Sequence, residues 1–389
     1  MNYSLTDIKY NIGNLFYGLL LLLISLKSLN FYILSNVNIL LLIIATVTIS
    51  VFFIDIRKIQ SIYIPTILLF VFYFLFNAVK SFSVGAIFPL LIYLPLFLIS
   101  DSRKVSVCNV VMKILASFIA LSLVGWILYL LGFNLNYVEI DTDGRVLKDY
   151  GLFLRNHELI PRFQSLFMEP GHLGTISALM VYINKYDFKS FVCLIFLFAS
   201  LFSLSLASYV LLFIGYIIKI LSLSDTNKRN IILSIIGFGI IIGVLAIISY
   251  NNQDSILYQK VFSRLEFKNG QMAGNNRYSR LFENYYEIRM QSFNIALLGM
   301  GDDFRFDSFP GNAGYKVYII VNGIISGVLL LLMYLSLTTP YKSLYIYGLF
   351  ILNFLSFLQR AYAHTYFFII LFILALPYIK AKKIKNSIT

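Results

Sequence analysis

Leu15-Phe-Tyr-Gly-Leu-Leu-Leu-Leu-Leu-Ile-Ser-Leu26 carries no charge and is followed at once by Lys27, Ser28, Leu29 and Asn30. A secretory signal would place a small-residue cleavage motif after such a run. None follows, so the segment reads as a membrane span that stays in the chain. Similar runs recur throughout. Hydrophobic residues make up 59% of the sequence and charged residues only 13%, with a mean hydropathy of +0.81. Soluble domains carry about 25% charged residues. A helix needs about 20 apolar residues to cross the hydrocarbon core. Twelve segments fit that need: 12–31, 35–54, 62–79, 84–100, 108–132, 167–184, 190–204, 207–221, 231–249, 313–336, 343–358 and 364–379. The expected fold is all-α, a polytopic membrane helix bundle in which residues 1–389 form one integral membrane domain. The links are too short for a separate soluble domain.

The short links Arg57-Lys58, Arg103-Lys104, Lys185–Lys189 and Lys228-Arg229, and the tail Lys380–Lys385, are basic. Alternate crossing puts all of them on one face, which the positive-inside rule makes cytoplasmic. Both termini are then inside. Two long hydrophilic loops, 133–166 and 250–312, face outward. The 190–221 stretch must be a tight hairpin turning near Ser203–Ser208 for this count to hold. The net charge of +13 follows from this topology and implies no nucleic-acid partner. Cys108 and Cys193 fall at or within spans, so neither a disulfide framework nor a cysteine metal site is expected. The bundle carries no Asp or Glu at mid-membrane, and Lys113 lies near a span end, which weighs against an ion-coupled pump.

In the first outer loop, Asp143-Gly144 flanked by alternating apolar residues within 137–147 predicts a small β-hairpin. Asp141 and Asp143 form a D-x-D, which can chelate a metal, but turn chemistry explains both carboxylates. The sequence then runs Arg162-Phe-Gln-Ser-Leu-Phe-Met-Glu-Pro-Gly-His-Leu-Gly174. Pro170 suits the first position of a helix, with Glu169 as its cap. Glu169 and His172, three apart, share a face. Gly171 and Gly174 let another helix or a ligand approach the backbone. A helix start offers free N–H groups and partial positive charge, and so attracts anions. A carboxylate, an imidazole and the Arg162 guanidinium at a membrane surface suit glycosyl transfer from a lipid pyrophosphate: one group takes the acceptor's proton and cations hold the departing diphosphate. The plainer alternative is that Glu169 only caps the helix and His172 only packs.

The second outer loop balances seven basic residues (Lys260, Arg264, Lys268, Arg277, Arg280, Arg289, Arg305) against seven acidic ones (Asp254, Glu266, Glu283, Glu287, Asp302, Asp303, Asp307). It is no polybasic lipid-binding tract. Residues 277–298 have helical periodicity. Arg277, Arg280, Asn284, Glu287, Gln291 and Asn294 form a polar stripe, and Tyr278, Phe282, Tyr285, Phe293 and Leu297 form the apolar face. Such a helix would lie flat on the membrane or the bundle. Arg289 sits within the apolar face, where its planar fork suits a phosphate partner. The alternative for the stripe is a solvated face of internal Arg–Glu pairs. Gly299-Met-Gly301 reads as a turn after the helix. In the last outer link, Arg360-Ala-Tyr-Ala-His364, a cation facing lipid would be costly, so Arg360 should face water or substrate.

These segments together resemble the O-antigen polymerase (Wzy) family, related to the O-antigen ligases. The resemblance rests on Arg162…Glu169-Pro-Gly-His-Leu-Gly174, on Ser203-Leu-Ser-Leu-Ala-Ser208, on Arg277…Arg280…Arg289 and on Gly299-Met-Gly301. It implies a GT-C-like bundle with its active site at the periplasmic face of the bacterial inner membrane. It also implies the reaction: a growing glycan passes from undecaprenyl pyrophosphate to the terminal sugar of a new lipid-linked repeat. Glu169 and His172 become the catalytic candidates. Arg162, Arg277, Arg280, Arg289, Arg360 and His364 become the substrate-binding ones. Implied partners are undecaprenyl-pyrophosphate-linked oligosaccharides, membrane lipids and a chain-length regulator. No cofactor, nucleotide or metal is implied, because the lipid pyrophosphate already activates the donor. The second long loop has no histidine, unlike the ligases, which favours a polymerase. A ligase and a lipid-linked oligosaccharide flippase are the rival readings; a flippase should have short loops and a charged cavity.

Overall fold

Apolar segments without water must satisfy their backbone groups internally, which favours helix. The chain is accordingly mostly helical. This computed structural model describes residues 5–29, 31–34, 36–52, 63–142, 145–156, 162–222, 279–301, 314–360 and 362–382, with scattered positions between 237 and 272. Among the described residues there are thirteen α-helices. They are α1 (Leu5–Lys27), α2 (Ile39–Val51), α3 (Ile64–Ser81), α4 (Leu90–Leu98), α5 (Asp101–Leu130), α6 (Pro170–Ile183), α7 (Phe191–Phe202), α8 (Leu206–Leu221), α9 (Arg280–Met290), α10 (Phe293–Leu298), α11 (Gly314–Thr338), α12 (Leu344–Gln359) and α13 (Tyr366–Ala381).

Eleven of the twelve expected spans contain one of these helices; the twelfth, 231–249, lies almost wholly outside the described residues. Three helices, Ile64–Ser81, Asp101–Leu130 and Gly314–Tyr341, are long and apolar enough to cross a membrane. Seven further apolar helical stretches among the described residues, Asn11–Lys27 of α1 included, run 10–17 residues. The expected span 84–100 is a 3-10 turn, Val84–Ile87, followed by the nine residues of α4. Pro89 at its N-cap cannot donate to a preceding turn. The 190–221 stretch is the expected hairpin: α7 ends at Ser203, α8 is capped at Ser205, and Leu204 between them is left-handed at φ 47°.

The chain divides into two units. The first comprises 1–115, 279–342 and 353–389, the second 116–278 and 343–352. In the first, α1 packs on α2 and α13, and α3 packs on α4 and α11. Lipid is as apolar as leucine, so helices in a bilayer associate through close packing and hydrogen bonds. Gly18 lets Val110 come close enough that a Cβ there would sit 2.8 Å from its Cγ1. Between α3 and α11 runs a hydrogen-bonded chain: Tyr73 Oη and Tyr318 Oη at 2.9 Å, Tyr318 Oη and Ser326 Oγ at 3.0 Å, and Ser326 Oγ donating to Asn77 Oδ1 at 3.0 Å.

Helix α11 is broken. Gly323 has φ 81° and ψ 164°, a conformation essentially reserved for glycine. In an unbroken helix the carbonyls of Ile320, Val321 and Asn322 would accept from the N–H groups four residues on. Here Ile320 O accepts from Met300 N at 2.7 Å, and Val321 O and Asn322 O accept from Lys80 Nζ at 3.3 and 3.0 Å. The cation complements the negative end of the first half-helix.

In the second unit, α6 is buried along its whole length and packs on α7 and α8. Tyr182 at its end stacks on Tyr345 with ring centroids 4.3 Å apart, and each hydroxyl donates to the other's carbonyl. Gly215 and Gly348 leave room for Tyr182 and Tyr186. The hairpin of the first long loop forms as expected: β1 (Val138–Thr142) and β2 (Arg145–Asp149) pair antiparallel, with Thr142 opposite Arg145. The turn residues Asp143-Gly144 lie outside the described residues. A third strand, β3 (Leu154–Asn156), joins the sheet beside β2. In the second long loop, β4 (Phe267–Lys268) and β5 (Gln271–Met272) form a short hairpin.

Candidate functional site

The segment before α6 is fixed by its neighbours. Phe163 is buried and its N–H donates to Phe202 O at 3.0 Å. Trp126 lies 5.5 Å from the Phe163 ring and 5.4 Å from Phe202. Leu154 N donates to Ser165 O at 2.7 Å, and Ser165 Oγ donates to Ser122 Oγ at 2.8 Å. Ser165 is left-handed at φ 51°, a conformation that costs a non-glycine residue energy and recurs near functional sites. Anchored this way, Arg162 reaches the α7–α8 turn: its Nε donates to Ser203 O at 3.1 Å and an Nη to Leu204 O at 3.2 Å. The same turn presses on α6. A methyl on Gly174 would collide with Ser203 Oγ and lie 3.0 and 3.1 Å from the Cβ atoms of Ser208 and Ser205. Gly174 therefore serves helix packing, the first of the two roles its sequence position allowed.

Glu169 stands at the N-cap in an extended conformation, but its carboxylate does not accept the capping hydrogen bond. Its Oε2 lies 3.8 Å from His172 Nε2 instead. Capping alone thus does not account for Glu169. The pair is half-sheltered, with 25% of the Glu169 side chain exposed and 9% of that of His172. At this distance the carboxylate orients the imidazole and stabilises it once protonated. A hydroxyl brought to Glu169 finds a base, a histidine beside that base and the N–H groups of a helix start.

Sequence reasoning missed the polar groups beneath this site. Gln164 is 1% exposed, and neither of its amide atoms has a hydrogen-bond partner among the described residues; the same holds for the hydroxyls of Thr175, Ser177 and Ser200. Buried polar groups of this kind commonly hold ordered water. Nothing in the residue types marked them, because Ser and Thr are ordinary in membrane helices. Arg155 on β3, with its guanidinium 4.8 Å from the Tyr129 ring centroid, is a further cation of this unit. Its signal was its place in the outer loop shortly before Arg162. Asp141 is exposed, and no cluster of metal-ligating residues occurs among the described residues. On the second loop, Tyr258 donates to Glu266, and that hydrogen bond pushes the phenol above its usual range.

The first unit holds Arg280, Arg289, Arg360 and His364. The helix expected over 277–298 is two helices, α9 and α10, separated at Gln291-Ser292. Phe293, expected on the apolar face, starts the second helix and is 74% exposed. The expected apolar face holds at Phe282, which is fully buried against Val317 and Ile320 with Tyr285 and Tyr286 around it. Glu283 makes an ion pair with Lys316 of α11, a partner outside the loop that the expected internal pairing did not include. The polar stripe is exposed at Arg280, Asn284 and Glu287. Arg289 is exposed too, with its guanidinium 5.2 Å from the Tyr285 ring centroid. Leu281 and Ile288 add an exposed apolar flank. Arg277 lies outside the described residues. Arg360 is half-buried, 6.0 Å from the Tyr362 ring centroid. His364 is exposed with its ring 5.3 Å from Tyr318, and Tyr334 anchors the link by donating to Ala363 O.

The structure thus sets Glu169 beside His172 at the start of α6 and ties Arg162 to the α7–α8 turn that packs on the same helix; Arg280, Arg289, Arg360 and His364 belong to the other unit. Together the fold and the site define a helical, membrane-associated protein with a half-sheltered acid–imidazole pair. Compared with known proteins, the chain matches no family model, no curated protein and no solved structure.

Proposed function

We propose that this protein polymerises lipid-linked saccharide repeats at the periplasmic face of the bacterial inner membrane. In this reading it is a twelve-span, GT-C-like bundle with both termini in the cytoplasm. The observation that carries the proposal is the Glu169–His172 pair at the start of α6, with Arg162 fixed on the turn that packs against the same helix. The acceptor hydroxyl of a fresh lipid-linked repeat loses its proton to Glu169 and its oxygen bonds to the donor's anomeric carbon. The bond from that carbon to the pyrophosphate oxygen breaks, and undecaprenyl pyrophosphate leaves with the electron pair. His172 steadies the Glu169 carboxylate and relays the proton. Arg280 and Arg289, exposed on the other unit, bind lipid-linked phosphate through charge-assisted hydrogen bonds. The half-buried Arg360 lies on the same unit.

Deleting the gene tests this assignment against its rivals. A polymerase null leaves single-repeat glycan on lipid A. A ligase null leaves none, and a flippase null traps repeats on the inner leaflet; either outcome rejects the proposal.

A further inference from the structure

Two glycines from distant parts of the chain meet at the break in α11. Gly299, which follows α10, has φ 81° and ψ 177°, close to the values at Gly323. Their backbones are in mutual contact. A methyl on Gly299 would strike the Val321 carbonyl, and one on Gly323 would strike the Leu297 carbonyl. Met300 N–H fills the Ile320 carbonyl that the break releases, and Tyr285 Oη points back to Met300 Sδ at 3.5 Å. Lys80 reaches from the last turn of α3 to the next two carbonyls. One turn before the break, Phe282 is buried against Val317 and Ile320, and Glu283 pairs with Lys316. An intact α11 would have no carbonyl for Met300 and no notch for Gly299.

We propose that the break at Gly323 is a latch that holds the arginine-bearing α9–α10 pair in place, with Lys80 as its positioning residue. Lys80 need not touch substrate. It stabilises the unwound carbonyls, and so the shape of the notch in which Gly299 and Met300 sit. The latch follows from packing alone; only its consequence for chain growth rests on the polymerase reading.

The test is trypsin cleavage after Arg280 and Arg289 in the purified full-length protein in detergent micelles. Both bonds lie in α9 and become cleavable when it undocks and unfolds locally. Gly323→Ala should speed cleavage at least tenfold, and Lys80→Met at least threefold, with Lys80→Arg restoring the original rate. Gly327→Ala, in the same helix with only ordinary contact to Tyr318, should leave the rate unchanged. If Gly323→Ala does not accumulate, Lys80→Met decides. Cleavage within twofold of the parent rate in Lys80→Met, or a Lys80→Arg variant as fast as Lys80→Met, overturns the latch. Because proteolysis is read without substrate, its result stands apart from the polymerase assignment. If both hold, Lys80→Met should also raise the donor KM more than it lowers kcat.

Discussion

At the start of α6 the charged side chains are drawn in: His172 keeps 9% of its side chain exposed and Glu169 25%, and Arg162 is tied to two carbonyls. On α9 the arrangement is reversed. Arg280 and Arg289 stand exposed, while the apolar and acidic residues beside them, Phe282 and Glu283, hold the helix down. Under the proposed function, the contrast separates two tasks. A proton acceptor works best where water is partly excluded and its partner is fixed. A phosphate ligand must stay accessible, so its precision has to come from the element that carries it. In the first region Glu169 and His172 are neighbours in sequence, while Arg162 is held by carbonyls 41 and 42 residues away. In the second the support comes from α3 and α11, far along the chain.

That difference can be broken most severely at the seat of α9. Phe282→Ala removes a fully buried ring and should cost about 3–5 kcal/mol, read as a lowered midpoint of thermal unfolding in detergent. A loss below about 1 kcal/mol would mean that α9 is not seated through Phe282. Next comes Arg162→Ala, which leaves the Ser203 and Leu204 carbonyls without their charged donor. A hydrogen bond to a charged group contributes about 1.5–3 kcal/mol, so both stability and product length should fall, and Arg162→Lys should restore them only in part because it lacks the planar fork. Stability unchanged in Arg162→Ala would remove the clasp from the account. The smallest effect on stability is expected at Arg289→Ala, within about 0.5 kcal/mol as for an exposed position. The long-chain product should nevertheless disappear while the protein accumulates normally. Full-length product from that variant would strip Arg289 of its phosphate role.

Local chemistry could be read from the residues. Asp143-Gly144 announced the β1–β2 hairpin, Pro170 marked the first turn of α6, and the three-residue step from Glu169 to His172 placed both on one side of a helix. The Ser203–Ser208 turn was needed to keep the crossing count even, and the chain does turn there. What escaped notice depends on contacts between distant segments. Gly323 sits between Asn322 and Ile324 in an otherwise ordinary apolar run, and glycine is common in membrane helices, so nothing local distinguished a break. The Glu283–Lys316 pair joins residues 33 apart. Ser292 before Phe293 did offer a helix-start signal, but the polar stripe through Gln291 and Asn294 suggested continuity.

The central claim is that the pair at the start of α6 drives glycosyl transfer, and the most direct measurement is chain growth by purified Glu169→Gln protein supplied with a lipid-pyrophosphate-linked repeat. The exchange keeps the shape of the side chain and removes its basicity. The account predicts that the parent protein extends the glycan and releases undecaprenyl pyrophosphate, while the variant loses about 10²–10⁴-fold in rate with its unfolding midpoint unchanged. Chain growth by the variant at the parent rate would contradict it.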